Sequence, residues 1–178
     1  MVKLIYSRTK TPLGTLTLVA SRKGLFSVIL PVKGKGIPEA WLRGRLAGLD
    51  LVRDDPGLAG TVRQIGEYFG GKRKAFSVRL DLRGTEFQKK VWKALSAIPY
   101  GRTETYGSIA RRIGRPGAAR AVGAACGANP AAIVIPCHRV VGNGGALTGF
   151  AGGLAMKKKL LELEKGSRPK THAAVRRR

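Results

Sequence analysis

The sequence predicts an α/β module followed by a mainly helical domain built around a helix-turn-helix. Three observations carry that prediction. Two β-like runs, at Leu16 and Leu18 and from Leu25 to Leu30, flank a Ser21–Gly24 turn. Apolar residues recur at helical spacing in Leu58, Val62, Ile65 and Phe69, and again in Phe87, Val91, Leu95 and Ile98. Near the middle of the second half, two short helical stretches are split by Gly114–Arg115–Pro116–Gly117, which forces a turn. With 178 residues, 43% of them hydrophobic, the chain can bury a real core, which excludes disorder throughout.

Element by element, Glu39–Leu46 and Gly57–Phe69 read as helices, and Phe76, Val78, Leu80 and Leu82 alternate as a strand. Nothing in residues 1–83 converges into a chemical constellation, so this half reads as a structural partner domain. A link at Arg83–Gly84 leads to a helix whose Thr85 and Gln88 form a capping box, and Pro99–Tyr100–Gly101 ends it. Thr105 is placed to cap a helix over Tyr106–Ile113, and Ala118–Cys126 forms its partner. After a turn at Asn129–Pro130, the apolar run Ala132–Ile135 reads as a buried strand that delivers Pro136, Cys137, His138, Arg139 and Val140. The glycine-rich loops Gly142–Gly145 and Gly149–Gly153 follow, and then a helix over Leu154–Lys165 that stops at Gly166. Residues 84–166 form the second domain, and 167–178 read as a disordered basic tail adding non-specific phosphate affinity.

Charge indicates the partner. Lys plus Arg number 34 against 10 Asp plus Glu, a net charge of +24, which favours a polyanion, most simply nucleic acid. No apolar run is long enough to span a bilayer and the N-terminus lacks a secretory h-region, so a cytoplasmic protein away from membranes is expected. The two cysteines and two histidines do not suggest a stapled scaffold or a zinc centre, so no metal is expected.

The second helix of the hairpin is unusual for a base reader. Its segment AARAVGAACGA offers Arg120 as the single long polar side chain, whereas major-groove readout needs Arg, Lys, Asn or Gln at several positions. Small residues let a helix backbone approach a minor groove closely, and one projecting arginine can hold the space of an extruded nucleotide. Cys137 beside His138, at the end of an apolar run, has the makings of an activated nucleophile. Neighbours on an extended chain point to opposite sides, so their cooperation requires a bend at Pro136 or an intervening water.

Taken together, Tyr106, the ARAVG segment with Arg120, Gly127-Ala128-Asn129-Pro130, the IPCHRV run, Gly152–Lys157 and LLELE closely resemble the C-terminal domain of the O6-alkylguanine-DNA alkyltransferases (methylated-DNA–protein-cysteine methyltransferases). The resemblance spans Tyr100–Gly166, and the N-terminal half fits the family's α/β domain in length and texture. The fold it implies is an α/β N-terminal domain plus a mainly α C-terminal domain with a helix-turn-helix, winged-helix-like, and an active-site cysteine loop.

By that resemblance Cys137 is the alkyl acceptor, His138 acts on it through a water, and Glu164 orients His138. Tyr106 hydrogen-bonds the guanine, Asn129 is a hinge, and Lys157 lies near the cysteine. Thr105, Tyr106, Ala119, Arg120, Ala121 and Gly123 meet the DNA, while Val140, Phe150 and Ala151 form the base pocket. Phe150 stands where many members carry tyrosine, and Ala151 where serine is common, which bears on substrate preference. The implied substrate is double-stranded DNA bearing alkylated guanine, with O4-alkylthymine a further candidate, and the implied protein is a monomer with no cofactor. Alkyl transfer leaves a thioether, for which the chain has no release machinery, so a single turnover is expected. Two rivals from other classes are a helix-turn-helix DNA-binding protein without chemistry and a Cys–His hydrolase.

Overall fold

The computed structural model describes residues 3–31, 36, 40, 42, 44, 46 and 48–166. The chain opens with a meander of three antiparallel strands, β1 (Lys3–Thr11), β2 (Gly14–Ser21) and β3 (Gly24–Ile29), and β4 (Asp50–Arg53) adds parallel to β1. The resulting order is β3-β2-β1-β4. Period-two alternation sorts β2 onto two faces: Leu16, Leu18 and Ala20 enter the main core, and Val19 joins Leu4, Tyr6, Leu42 and Leu51 on the other side. Helix α1 (Asp55–Phe69) starts where Asp54 accepts from the Gly57 amide, and sends Leu58, Ile65 and Tyr68 inward.

Helix α2 (Glu86–Ser96) has the capping box formed by Thr85 and Gln88. Its indole Nε1 at Trp92 donates to Ala125 O at 2.9 Å, fastening it to the helical hairpin. That hairpin comprises α3 (Tyr106–Arg112), capped by Thr105, and α4 (Ala119–Gly127). A short strand β5 (Glu104–Thr105) pairs in parallel with β6 (Val140–Val141), and α5 (Leu154–Gly166) closes the domain. The main core is continuous from β2 through α1 and α2 to α5, so the helical domain packs directly on the sheet domain.

Several expectations need correction. The sheet begins with β1, where Arg8 and Lys10 interrupt the apolar pattern, and includes β4, four residues long and bounded by Asp50 and Arg53. Phe76, Val78 and Leu80 alternate with exposed neighbours, Asp81 and Leu82 are both half-buried, and the segment forms no ladder. The segment meets β3 only around Leu25, whose amide donates to Arg79 O and whose carbonyl accepts from Asp81. Ala132–Ile135 is a tight turn rather than a strand, since the Ile135 amide returns to Ala131 O at 2.8 Å. Glu39–Leu46 is described only at alternate positions, with Ala40, Leu42 and Gly44 helical. The tail 167–178 lies outside the described residues.

Candidate active site

The turn after α4 aims the cysteine. Asn129 clamps it from both ends, accepting from the Ala131 amide (3.0 Å) and donating Nδ2 to Ile135 O (2.9 Å). Within it Ile133 is buried with φ +75°, a left-handed conformation that a β-branched residue adopts only under strong constraint. The chain then coils into a single 3₁₀ turn, Cys137–Arg139, and not an extended strand. Successive side chains of such a turn are about 120° apart instead of facing opposite sides.

His138 is wholly buried, and its Nε2 lies 2.7 Å from Glu164 Oε1. Glu164, on the last turn of α5, is also buried, an expensive place for an anion at a helix C-terminus. Five hydrogen-bond donors compensate. Besides His138, Oε1 accepts from the Tyr68 hydroxyl (2.7 Å) and Arg139 Nη2 (3.1 Å), and Oε2 accepts from Arg139 Nε (3.0 Å) and the Gly101 amide (2.9 Å). Gly101 sits at φ +70°, and a Cβ there would press on the Glu164 carbonyl, so glycine suits this approach. Burial alone would raise the Glu164 pKa, but hydrogen bonding from His138 and Arg139 brings it down to about 2. An ionised carboxylate is only an acceptor, so Nε2 carries the imidazole proton. Nδ1 is left with a lone pair, buried and without a protein partner. Burial also lowers the His138 pKa, keeping the ring neutral.

Cys137 is 7% exposed. Burial pushes its thiol up, opposed by hydrogen bonding from the Asn129 side chain, by the Lys157 charge and by the backbone amides of Cys137 and His138. Lys157 is fully buried, and its Nζ donates to Thr148 O (2.6 Å) and Gly149 O (3.2 Å). It thereby holds the loop that carries Phe150 and Ala151. Tyr106 also donates its hydroxyl to Thr148 O, at 3.2 Å.

On the outer face of the hairpin, Tyr106, Arg111, Ala119, Arg120, Gly123 and Asn143 help line a cavity of about 530 Å³. Arg112 is tied to Glu104 and to Ala94 O, whereas Arg111 forms no ion pair among the described residues.

Comparisons with known proteins bear on the same residues. The family model for the 6-O-methylguanine DNA methyltransferase DNA-binding domain matches residues 86–166, and that for its ribonuclease-like domain matches 4–82. The chain belongs to the 6-O-methylguanine DNA methyltransferase family. Similar relatives include the methylated-DNA–protein-cysteine methyltransferases of Mycobacterium tuberculosis, 60% identical over 65% of this chain and 70% of the relative, and of Methanosarcina acetivorans, 44% identical over 90% and 98%. A crystal structure of Mycobacterium tuberculosis OGT in complex with DNA aligns over 95% of this chain and 96% of that one, at 46% identity and a TM-score of 0.77.

In this methyltransferase-family chain Cys137, His138, Glu164, Asn129 and Lys157 gather at one buried locus. Tyr106 reaches it from α3 through the shared Thr148 carbonyl. Thr105, Ala119, Arg120 and Gly123 lie apart from it, on the hairpin cavity that Tyr106 also lines, and Ala121 is exposed on α4 beside them. Val140 is buried in β6, Phe150 packs against the core, and Ala151 is exposed. Sequence reasoning missed Arg139 and Tyr68. Arg139, in the IPCHRV run, is one cation among many. Tyr68 comes from the half read as purely structural, a reading the geometry corrects.

Among the described residues no group of His, Cys, Asp and Glu is arranged to hold a metal ion, and no helix is long and apolar enough to cross a membrane.

Proposed function

We propose that this protein repairs DNA by moving the alkyl group of O6-alkylguanine onto Cys137, irreversibly and once per molecule, after the damaged base swings out of the duplex. The carrying observation is the buried His138–Glu164 pair, whose free Nδ1 lone pair belongs to the residue next to the cysteine. Nδ1 accepts the thiol proton through a water as the sulfur attacks the alkyl carbon. The carbon–O6 bond breaks, and the proton ends on the guanine, so the products are a thioether and an intact base. Tyr106 turns its hydroxyl from Thr148 O to the departing purine and stabilises the charge developing there. Asn129 fixes the turn that aims the sulfur, and Lys157 fixes the loop that bears the base-pocket residues Phe150 and Ala151, with Val140 opposite them.

Helix α4 lies along the minor groove on its small face, Ala119, Ala121 and Gly123, with Thr105 beside it. Arg120 fills the vacated stack, and Arg111, on the same cavity, neutralises a phosphate of the extruded nucleotide. O4-alkylthymine is a second substrate to assay. The protein acts as a monomer in the cytoplasm, with no cofactor, residues 1–83 supporting the reactive domain 84–166.

The deciding experiment incubates the protein with duplex DNA containing O6-methylguanine, digests it and weighs the peptide that holds Cys137. A stoichiometric gain of one methylene is expected. An unmodified peptide beside intact lesions would leave a helix-turn-helix protein that binds DNA without reacting.

A further inference from the structure

We infer that Tyr68, contributed by the N-terminal domain, is a positioning residue of the acceptor site, its hydroxyl sharing Glu164 Oε1 with the His138 imidazole. The inference rests on the alkyl-transfer reading above. Tyr68 lies on the last turn of α1 with its ring fully buried. Phe69, Phe76 and Tyr100 surround that ring at centroid distances of 5.3, 5.4 and 6.0 Å, so the hydroxyl is held in place by packing. Phenylalanine would fill the same space. The phenol must therefore be matched to a partner, and the partner is the atom that governs the imidazole. Its hydroxyl donates to Glu164 Oε1 at 2.7 Å, and the oxygen stands 3.5 Å from His138 Nε2.

A carboxylate offers about four lone-pair directions, and Glu164 already receives five donors. Each donor draws negative charge away from the others. The groups facing His138 are Glu164 and Lys157 from α5, Arg139 and Cys137 from its own turn, and Tyr68 from α1. Of the charged ones, Glu164 alone favours an imidazolium, while Arg139 and Lys157 oppose it. Tyr68 weakens the favourable partner and so helps keep Nδ1 unprotonated. Without the hydroxyl, Oε1 serves His138 more fully and the pair binds a proton more tightly.

Tyr68→Phe keeps the ring and its packing. The single-turnover rate of methyl transfer to Cys137 is recorded against pH, and the imidazole nitrogen shifts of His138 are followed by NMR, which is tractable with two histidines in the chain. The acidic limb of the rate should move up by about half a pH unit or more, together with the His138 titration, while the rate at high pH is retained. Incorporating 3-fluorotyrosine at position 68, a stronger donor, should move both down. Superposable limbs and an unmoved His138 titration in both variants would overturn the inference, as would a uniform rate loss at every pH. Failure of the wild-type protein to alkylate at all would sink the functional reading instead, and the NMR titrations would still judge Tyr68.

Discussion

Glu164→Gln keeps the shape of a side chain on which the whole site turns and removes its charge. The amide nitrogen of glutamine must face one of two sets of donors. On one side are Arg139 Nε at 3.0 Å and the Gly101 amide at 2.9 Å; on the other, His138, Tyr68 and Arg139 Nη2. Either orientation sets donor against donor and leaves the buried guanidinium unpaired, a loss of about 3–5 kcal/mol. The titration behaviour supplies a second measure. The Glu164 pKa falls from an ordinary 4.5 to about 2, which corresponds to about 3 kcal/mol of stability. Because the folded value is the depressed one, that stability is complete above pH 4.5 and disappears as the pH falls toward 2. Glutamine does not titrate there. Urea unfolding followed by tryptophan emission (Trp92 is buried) should therefore separate the two proteins by about 3 kcal/mol near neutrality. The gap should shrink by about that amount across the acid window. Subtracting the variant from the wild type at each pH largely cancels acid effects common to both, including repulsion within a strongly cationic chain. A gap under about 1 kcal/mol, the value of an exposed charge, or one that stays constant through the window, would refute the reasoning.

Arg120→Ala should slow repair of duplex DNA far more than reaction with a free alkylguanine base, since only the duplex requires extrusion; equal slowing in the two rate assays would remove that role. Arg111→Gln should flatten the dependence of log K on log salt by about one, as expected for one lost phosphate contact, and an unchanged slope in a binding titration would show that the residue does not touch the backbone. Asn129→Ala removes both clamps on the turn and should cost about 1–3 kcal/mol in a melting experiment, with a slower transfer rate. Cys137 should resist iodoacetamide at neutral pH, because burial holds the thiol protonated; rapid labelling in a mass assay would contradict this.

Local chemistry was legible in the sequence and long-range partnership was not. The Thr85–Gln88 box and the Thr105 cap depend on residues three apart, and the structure has both. The cysteine, the histidine and the asparagine could be picked out because they cluster within ten positions. Glu164 stood out only through resemblance, since a carboxylate at a helix end ordinarily faces solvent. Tyr68 lies 70 residues from His138 and 96 from Glu164. It follows Ile65 in a helical stripe, so the same pattern that marks it as core conceals its hydroxyl's task. The Ala132–Ile135 segment misled because apolar, β-branched residues usually signal strand, whereas here the side chain of Asn129 offers the backbone an alternative set of hydrogen bonds and folds it into a turn.

The directions of two shifts fix the resting state of the acceptor. Burial raises the Cys137 thiol and lowers the His138 imidazole, so before substrate arrives the pair rests as neutral thiol and neutral base, not as thiolate and imidazolium. In the proposed reaction, a nucleophile held in this way gains its charge only when a base enters the pocket and the alkyl carbon comes within reach, so that proton removal accompanies bond formation. For a protein that regenerates its nucleophile such reserve would only slow turnover. For one whose sulfur is spent by its first reaction, every encounter with a stray electrophile destroys a molecule, and a protonated, nearly sealed thiol is the protective arrangement. The buried carboxylate and its five donors then have one shared purpose. They hold a single imidazole in one tautomer with one open nitrogen, and they do so from two domains at once.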